Sequence, residues 1–141
     1  VRPFRFNLQK ILDLRIYDEE EAKIELGRAT GVLVDLENRI KALAAERART
    51  AASQFDGANS AAMIQQYMYY LLRLDNLKEE LLSEAAQAEL KVEEAREAYL
   101  AASRERKVLD MLKERKQKEH RKEMLLEETK VLDDVPLIKG L

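Results

Sequence analysis

The sequence predicts an all-α fold, an antiparallel two-helix coiled-coil hairpin with a longer, overhanging second helix. Three observations carry that expectation. A seam in steps of three and four runs from Ile64 through Tyr67, Leu71, Leu74, Lys78, Leu81, Ala85, Ala88, Val92, Ala95, Tyr99, Ala102 and Arg106 to Leu109, and all of it is apolar except Lys78 and Arg106. A spacing of about 3.5 residues is what a supercoiled helix needs to keep one stripe against a partner. A matching stripe precedes it: Ala22, Leu26, Ala29, Leu33, Leu36, Ile40 and Leu43. Between the two lies a single strong interruption, QFDGANS at residues 54–60. A connection that short makes neighbouring helices antiparallel.

The first helix is expected over about residues 4–54, starting between Pro3 and Asn7, because a proline is tolerated in a first helical turn. Phe4, Leu8, Ile11 and Leu12 form an apolar cluster, but the seam register then passes through Arg15 and Glu19, so looser packing is expected there. Gly27 and Gly31 each cost up to ~1 kcal/mol inside a helix. They are either tolerated surface glycines or a place where another chain comes close. In the tip loop, about residues 55–60, Gly57 permits turn conformations, and Asn59 or Ser60 can cap the next helix.

The second helix is expected over about residues 61–133, with Pro136 as its stop and a short tail over 134–141. At ~1.5 Å per residue the helices span roughly 75 and 110 Å. Phe4 should therefore lie beside Asp110, and everything after about Met111 should overhang. Residues 113–123, KERKQKEHRKE, contain no apolar side chain. A helix polar all round is solvent-bridging or docked into something else. Within the hairpin, Leu33, Leu36, Ile40 and Leu43 are expected to face Leu71, Leu74, Lys78 and Leu81. Lys78 and Arg106 on the seam either fix register at some cost in stability or snorkel to solvent.

Composition narrows function by exclusion. Charged residues make up 37% and aromatics 6%, with 25 basic against 27 acidic residues, a balance that suits long helices and calls for no nucleic acid. There is no Cys, which excludes disulfides and thiolate metal sites. No apolar run reaches the ~20 residues of a membrane span, so direct membrane insertion is not expected and the chain reads as cytoplasmic. No Gly-rich loop could cradle phosphate. The one histidine, His120, sits in the polar run and reads as a solvated side chain. No catalytic constellation, cofactor site or metal site is expected, and the chain reads as a non-enzyme.

What remains is surface. At ~100° per residue from Tyr67, the side chains of Met68, Leu72 and Tyr69 fall on the face away from the partner helix. They form either a protein-binding patch near the tip, or singly exposed side chains, or a cluster packed on Phe55 and the loop. Tyr17 and Ile24, seven apart, make a weaker patch on the outer face of the first helix. Lys113, Arg115, Lys116, Lys118, Arg121 and Lys122 are interleaved with Glu114, Glu119 and Glu123. That dense acid interleaving without aromatics argues against nucleic acid.

Three segments, in order, resemble the FliJ family, the coiled-coil component of the flagellar type III export apparatus. Residues 4–15, FRFNLQKILDLR, resemble the family opening at Phe4, Leu8, Gln9, Ile11, Leu12 and Arg15. Residues 67–74, YMYYLLRL, resemble the tyrosine-rich start of its second helix. Residues 102–115, ASRERKVLDMLKER, followed by Glu127, Glu128, Asp133 and Asp134, resemble its C-terminal part. The chain departs from the pattern at His120, near where the family often carries an aromatic.

The resemblance implies a monomeric hairpin like the rotor stalk of rotary ATPases. It also implies three partners: the hexameric export ATPase FliI, the export gate protein FlhA, and export chaperones. The implied location is the cytoplasmic side of the inner membrane, held there through the export apparatus. For the ATPase the candidate contacts are Phe4, Leu8, Ile11, Arg106, Leu109, Leu112, Lys113, Arg115 and Lys116. For the export gate they are Met68, Tyr69 and Leu72. Two rival readings are the equivalent stalk of a virulence-type secretion system and a generic coiled-coil scaffold. Prefoldin-like holdase action is disfavoured because the tip lacks strand-forming sequence.

Overall fold

A computed structural model describes residues 2–54, 57 and 59–134. Among these residues there are two helices and no strand: α1, Gln9–Gln54 (46 residues), and α2, Ala61–Asp134 (74 residues). They form an all-α hairpin with the longer helix second. Phe55, Pro136 and the tail over 135–141 lie outside the described residues, as do Asp56 and Ala58. By contacts the chain divides into two units, Ala22–Ala98 and the combination of Val1–Glu21 with Tyr99–Leu141.

The Ala22–Ala98 unit is built on apolar layers. Leu36, Leu81, Ala85 and Ala88 form a buried cluster, with Leu33, Ile40 and Leu43 packed against it. Leu74 and Val92 are buried on the same α2 stripe. A cleft between the helices is lined by Leu43, Ala44, Arg47, Ala48, Leu74 and Lys78. Leu43 thus meets Lys78, and Leu36 meets Leu81 and Ala85. The packing sits about one heptad further along α2 than the expected facing of Leu43 on Leu71. A shift of seven residues returns each helix to the same stripe, so the pattern itself is indifferent to it.

The ends of the helices at the connection show how the chain turns. The Met63 N–H donates to Ser60 Oγ at 3.3 Å, so Ser60 caps α2. Asn59 instead ties back to α1, its Nδ2 donating to the carbonyl of Ser53 in the last turn of that helix. Gly57 is present at a turn, yet among the described residues no glycine has positive φ. Its use here is not a left-handed conformation.

In the other unit the chain starts differently from expectation. Residues 2–6 are not helical, and α1 begins only at Gln9, whose N–H donates to the Phe6 carbonyl at 3.1 Å. Phe4 is half-buried, Arg5 exposed and Phe6 buried. Both phenylalanines are thus drawn out of solvent, Phe4 against His120 of α2. Packing at this end is not loose. Among the described residues, Leu12, at 2% exposure, is the one large side chain that is fully buried.

Candidate functional site

The candidate site consists of surfaces and of what holds them in place. The tip-side face is as the helical angles predict. Met68, Tyr69 and Leu72 are 58%, 65% and 57% exposed. Tyr69 Oη accepts a hydrogen bond from Gln65 Nε2 at 3.3 Å along the same helix. Tyr70, one position on, turns toward α1 and donates to Glu46 Oε1 at 3.3 Å. Met and Tyr offer a polarizable side chain and a broad ring with a polar end, a combination suited to an adaptable protein contact. On the outer face of α1, Tyr17 and Ile24 are exposed, and a Cβ built on Gly27 or Gly31 would meet nothing within 4 Å. No part of the described chain approaches those glycines.

At the open end, the Phe4 ring lies 5.6 Å from the His120 ring, not beside Asp110. His120 Nε2 is 2.7 Å from the Arg2 carbonyl. A carbonyl can only accept, so Nε2 carries the hydrogen. His120 is therefore half-buried and engaged by both Phe4 and Arg2, contrary to the solvated side chain expected. Two shifts add up here. The α1–α2 register in this unit pairs Arg15 with Glu105 at 2.8 Å, again about one heptad beyond expectation. The non-helical arm then reaches further along α2 than a helix rising ~1.5 Å per residue would. In consequence the stretch of α2 left wholly exposed starts at Arg121, not near Met111, and continues through Asp134.

The expected ATPase contacts fall into two groups. Leu8, Leu109, Leu112 and Lys113 are half-buried like Phe4, while Ile11, Arg115 and Lys116 are exposed. Lys116 lies 3.6 Å from Glu119. Arg106 is different. Its Nε is 2.8 Å from Glu19 Oε2, and Nη1 is paired with Asp110. Its side chain is 25% exposed, and its charge is already met within the fold. The Arg106 guanidinium, together with the Ser103 hydroxyl, holds the Glu19 carboxyl below its usual range.

Sequence reasoning missed Phe6, Glu19 and the role of His120. It also passed over Leu125, Leu126, Val131 and Leu132, which are 57–67% exposed beyond the arm. A signal for the last set was available: Leu125 and Leu132 are seven apart, as a helical stripe requires. Among the described residues no helix is long and apolar enough to cross a membrane.

Comparison with known proteins bears on nearly the whole chain. A family model described as "Flagellar FliJ protein" matches residues 4–139. No curated protein and no solved structure matches.

Proposed function

We propose, on the premise that this chain belongs to the flagellar FliJ family, that it is a stalk linking the export ATPase to the export gate. The family serves the flagellar export apparatus and is non-enzymatic. In this reading the open end engages a hexameric ATPase of the FliI type. Ile11, Leu109 and Leu112 give apolar anchorage beside Phe4 and Leu8, and Lys113, Arg115 and Lys116 complement acidic pore loops. Arg106 contributes by holding the two helices in place under that surface. Met68, Tyr69 and Leu72 contact a gate protein of the FlhA type, and the rod also escorts export chaperones. The protein is thereby held at the cytoplasmic side of the inner membrane.

The observation that supports this reading most directly is the exposed run of α2 beyond the arm, residues 121–134. A fully exposed helix with Leu125 and Leu132 on one stripe gives up free energy unless a partner covers it. The exposed cations next to half-buried leucines suit a contact whose encounter is steered by charge. The test mixes the protein with the ATPase and follows ATP hydrolysis at two salt concentrations. The full chain should stimulate hydrolysis, more strongly at low salt. Arg115→Glu with Lys116→Glu should remove the salt-sensitive part. A chain ending at His120 keeps the residues that hold the arm and should lose most stimulation. Full stimulation by both variants would defeat the ATPase assignment. For the gate, Met68→Ser, Tyr69→Ser and Leu72→Ser together should weaken capture of FlhA while helicity is kept.

A further inference from the structure

The polar layer around Arg106 has a consequence that does not depend on any partner. We infer that the pairing of Glu19 on α1 with Arg106 on α2 selects the register of the open-end unit against alternatives displaced by one heptad.

The apolar seam cannot make that selection. A seven-residue slip places apolar side chains on apolar side chains, because both stripes repeat at that interval. The packing in fact sits about one heptad from where the connection alone would put it, so at least two arrangements satisfy the stripes. The polar layer does discriminate. In the observed register Arg106 Nε meets Glu19 Oε2 at 2.8 Å. Arg106 Nη1 also meets Asp110 of its own helix, and no buried side-chain nitrogen or oxygen lacks a partner among the described residues.

Slip α2 by seven in one direction and Arg106 comes level with Leu12, the most buried side chain, while Glu19 comes level with Tyr99. Slip it the other way and Arg106 comes level with Leu26. Glu19 then meets Lys113, but the guanidinium is left against leucine. The first slip leaves Glu19 without a cation, and both take the half-buried guanidinium from its partner on α1, leaving it only Asp110 of its own helix; each is costly in a way a displaced leucine is not. Arg15–Glu105 belongs to the observed register too, but its side chains are 38% and 56% exposed and solvent screens it. The layer also fixes which α2 residues the arm reaches, and so keeps Phe4 on His120 rather than on the lysine-rich turn before it.

The chain has no cysteine, so spin labels can be placed without removing any native residue of that type. Labels at Tyr17→Cys and Lys122→Cys are both exposed, lie in the same unit and are far apart along the axis. A one-heptad slip changes their axial separation by about 10 Å at ~1.5 Å per residue. Pulsed electron-spin distances should give one population for the parent. Glu19→Leu with Arg106→Leu should add a second, displaced by about that amount, with helicity by circular dichroism unchanged. Arg106→Lys, which keeps a cation on the layer, should return the single population. A single unshifted distance in the double-leucine chain would overturn the inference. Loss of helicity in that chain would overturn it as well, because the layer would then be holding the helices together rather than choosing between arrangements.

Discussion

The two units of this hairpin solve the same packing problem with different residues. In Ala22–Ala98 the seam is leucine on alanine, with Leu36 against Leu81, Ala85 and Ala88. The inter-helix polar contacts there, Arg47–Asp75 at 2.6 Å and Tyr70–Glu46 at 3.3 Å, lie at the edge and are exposed. In the open-end unit the seam itself carries Arg106 and Glu19, half-buried and paired, and a non-helical arm adds Phe4 and Phe6. Apolar layers supply most of the stability but repeat every seven residues. A charged layer supplies less stability and occurs once. Apolar side chains thus hold the helices together in both units, and the open-end unit adds one half-buried charge pair between them.

The largest effect should come from the apolar side of this contrast. Leu36→Ala truncates one of the two leucines of a cluster whose other members are two alanines that cannot grow to fill the space. A loss of ~2–5 kcal/mol is expected, read by chemical denaturation. Leu12→Ala should fall in the same range despite lying in the charged unit, since Leu12 is 2% exposed. If Leu12→Ala costs only a few tenths of that, the open-end unit is held by its ion pairs and arm, and the contrast between the units fails.

Next in size is a change that should stabilise. Gly27 and Gly31 lie within α1, and a Cβ on either meets nothing within 4 Å. Gly31→Ala should therefore raise stability by up to ~1 kcal/mol through helix propensity alone, and Gly27→Ala by a similar amount. The same substitutions sharpen the picture of the outer face. If they stabilise the chain and leave ATPase stimulation and gate capture intact, the glycines are tolerated surface positions. If they stabilise it but abolish one of those contacts, a partner's backbone comes close there.

Much of this was legible in the sequence, and the parts that were not have identifiable causes. The hairpin could be read because the seam is long and because residues 54–60 interrupt it once. The outward placement of Met68, Tyr69 and Leu72 followed from helical angles, which need no knowledge of the partner helix. The register did not follow, because a heptad pattern is unchanged by a slip of seven. What breaks that degeneracy is the meeting of Glu19 with Arg106, residues 87 apart in the chain; Glu19 reads in sequence as a break in its seam and Arg106 as a position that fixes register or snorkels, with nothing local to pair them. The arm was misread for a related reason. Phe4 and Phe6 suit helix or irregular chain locally, and it is the meeting of Phe4 with His120 on α2, 116 residues away, that local sequence does not contain. His120 followed the arm: with no neighbour in sequence to engage it, the histidine read as solvated.

The smallest expected effect is a pH dependence, and it distinguishes the units by residue. Three carboxyls are held below their usual range: Glu19 by Arg106, Asp75 by Arg47, and Glu46 chiefly by Arg49. For a group whose folded pKa is depressed, the unfolded chain binds more protons at pH values between the two pKa values. The stabilisation is therefore fully present above the ordinary carboxylate range and is lost as pH falls through the folded value. Melting temperature should be insensitive to these groups from pH 5 to 8 and decline below about pH 4. Exposed pairs contribute little, so Asp75→Asn should alter the decline only slightly. Glu19→Gln should flatten it more, because Glu19 is less exposed, at 19% of its side chain against 44% for Asp75. An acid limb that Asp75→Asn flattens more than Glu19→Gln would place the stronger charge layer in the tip-side unit, and would reverse the contrast between the two.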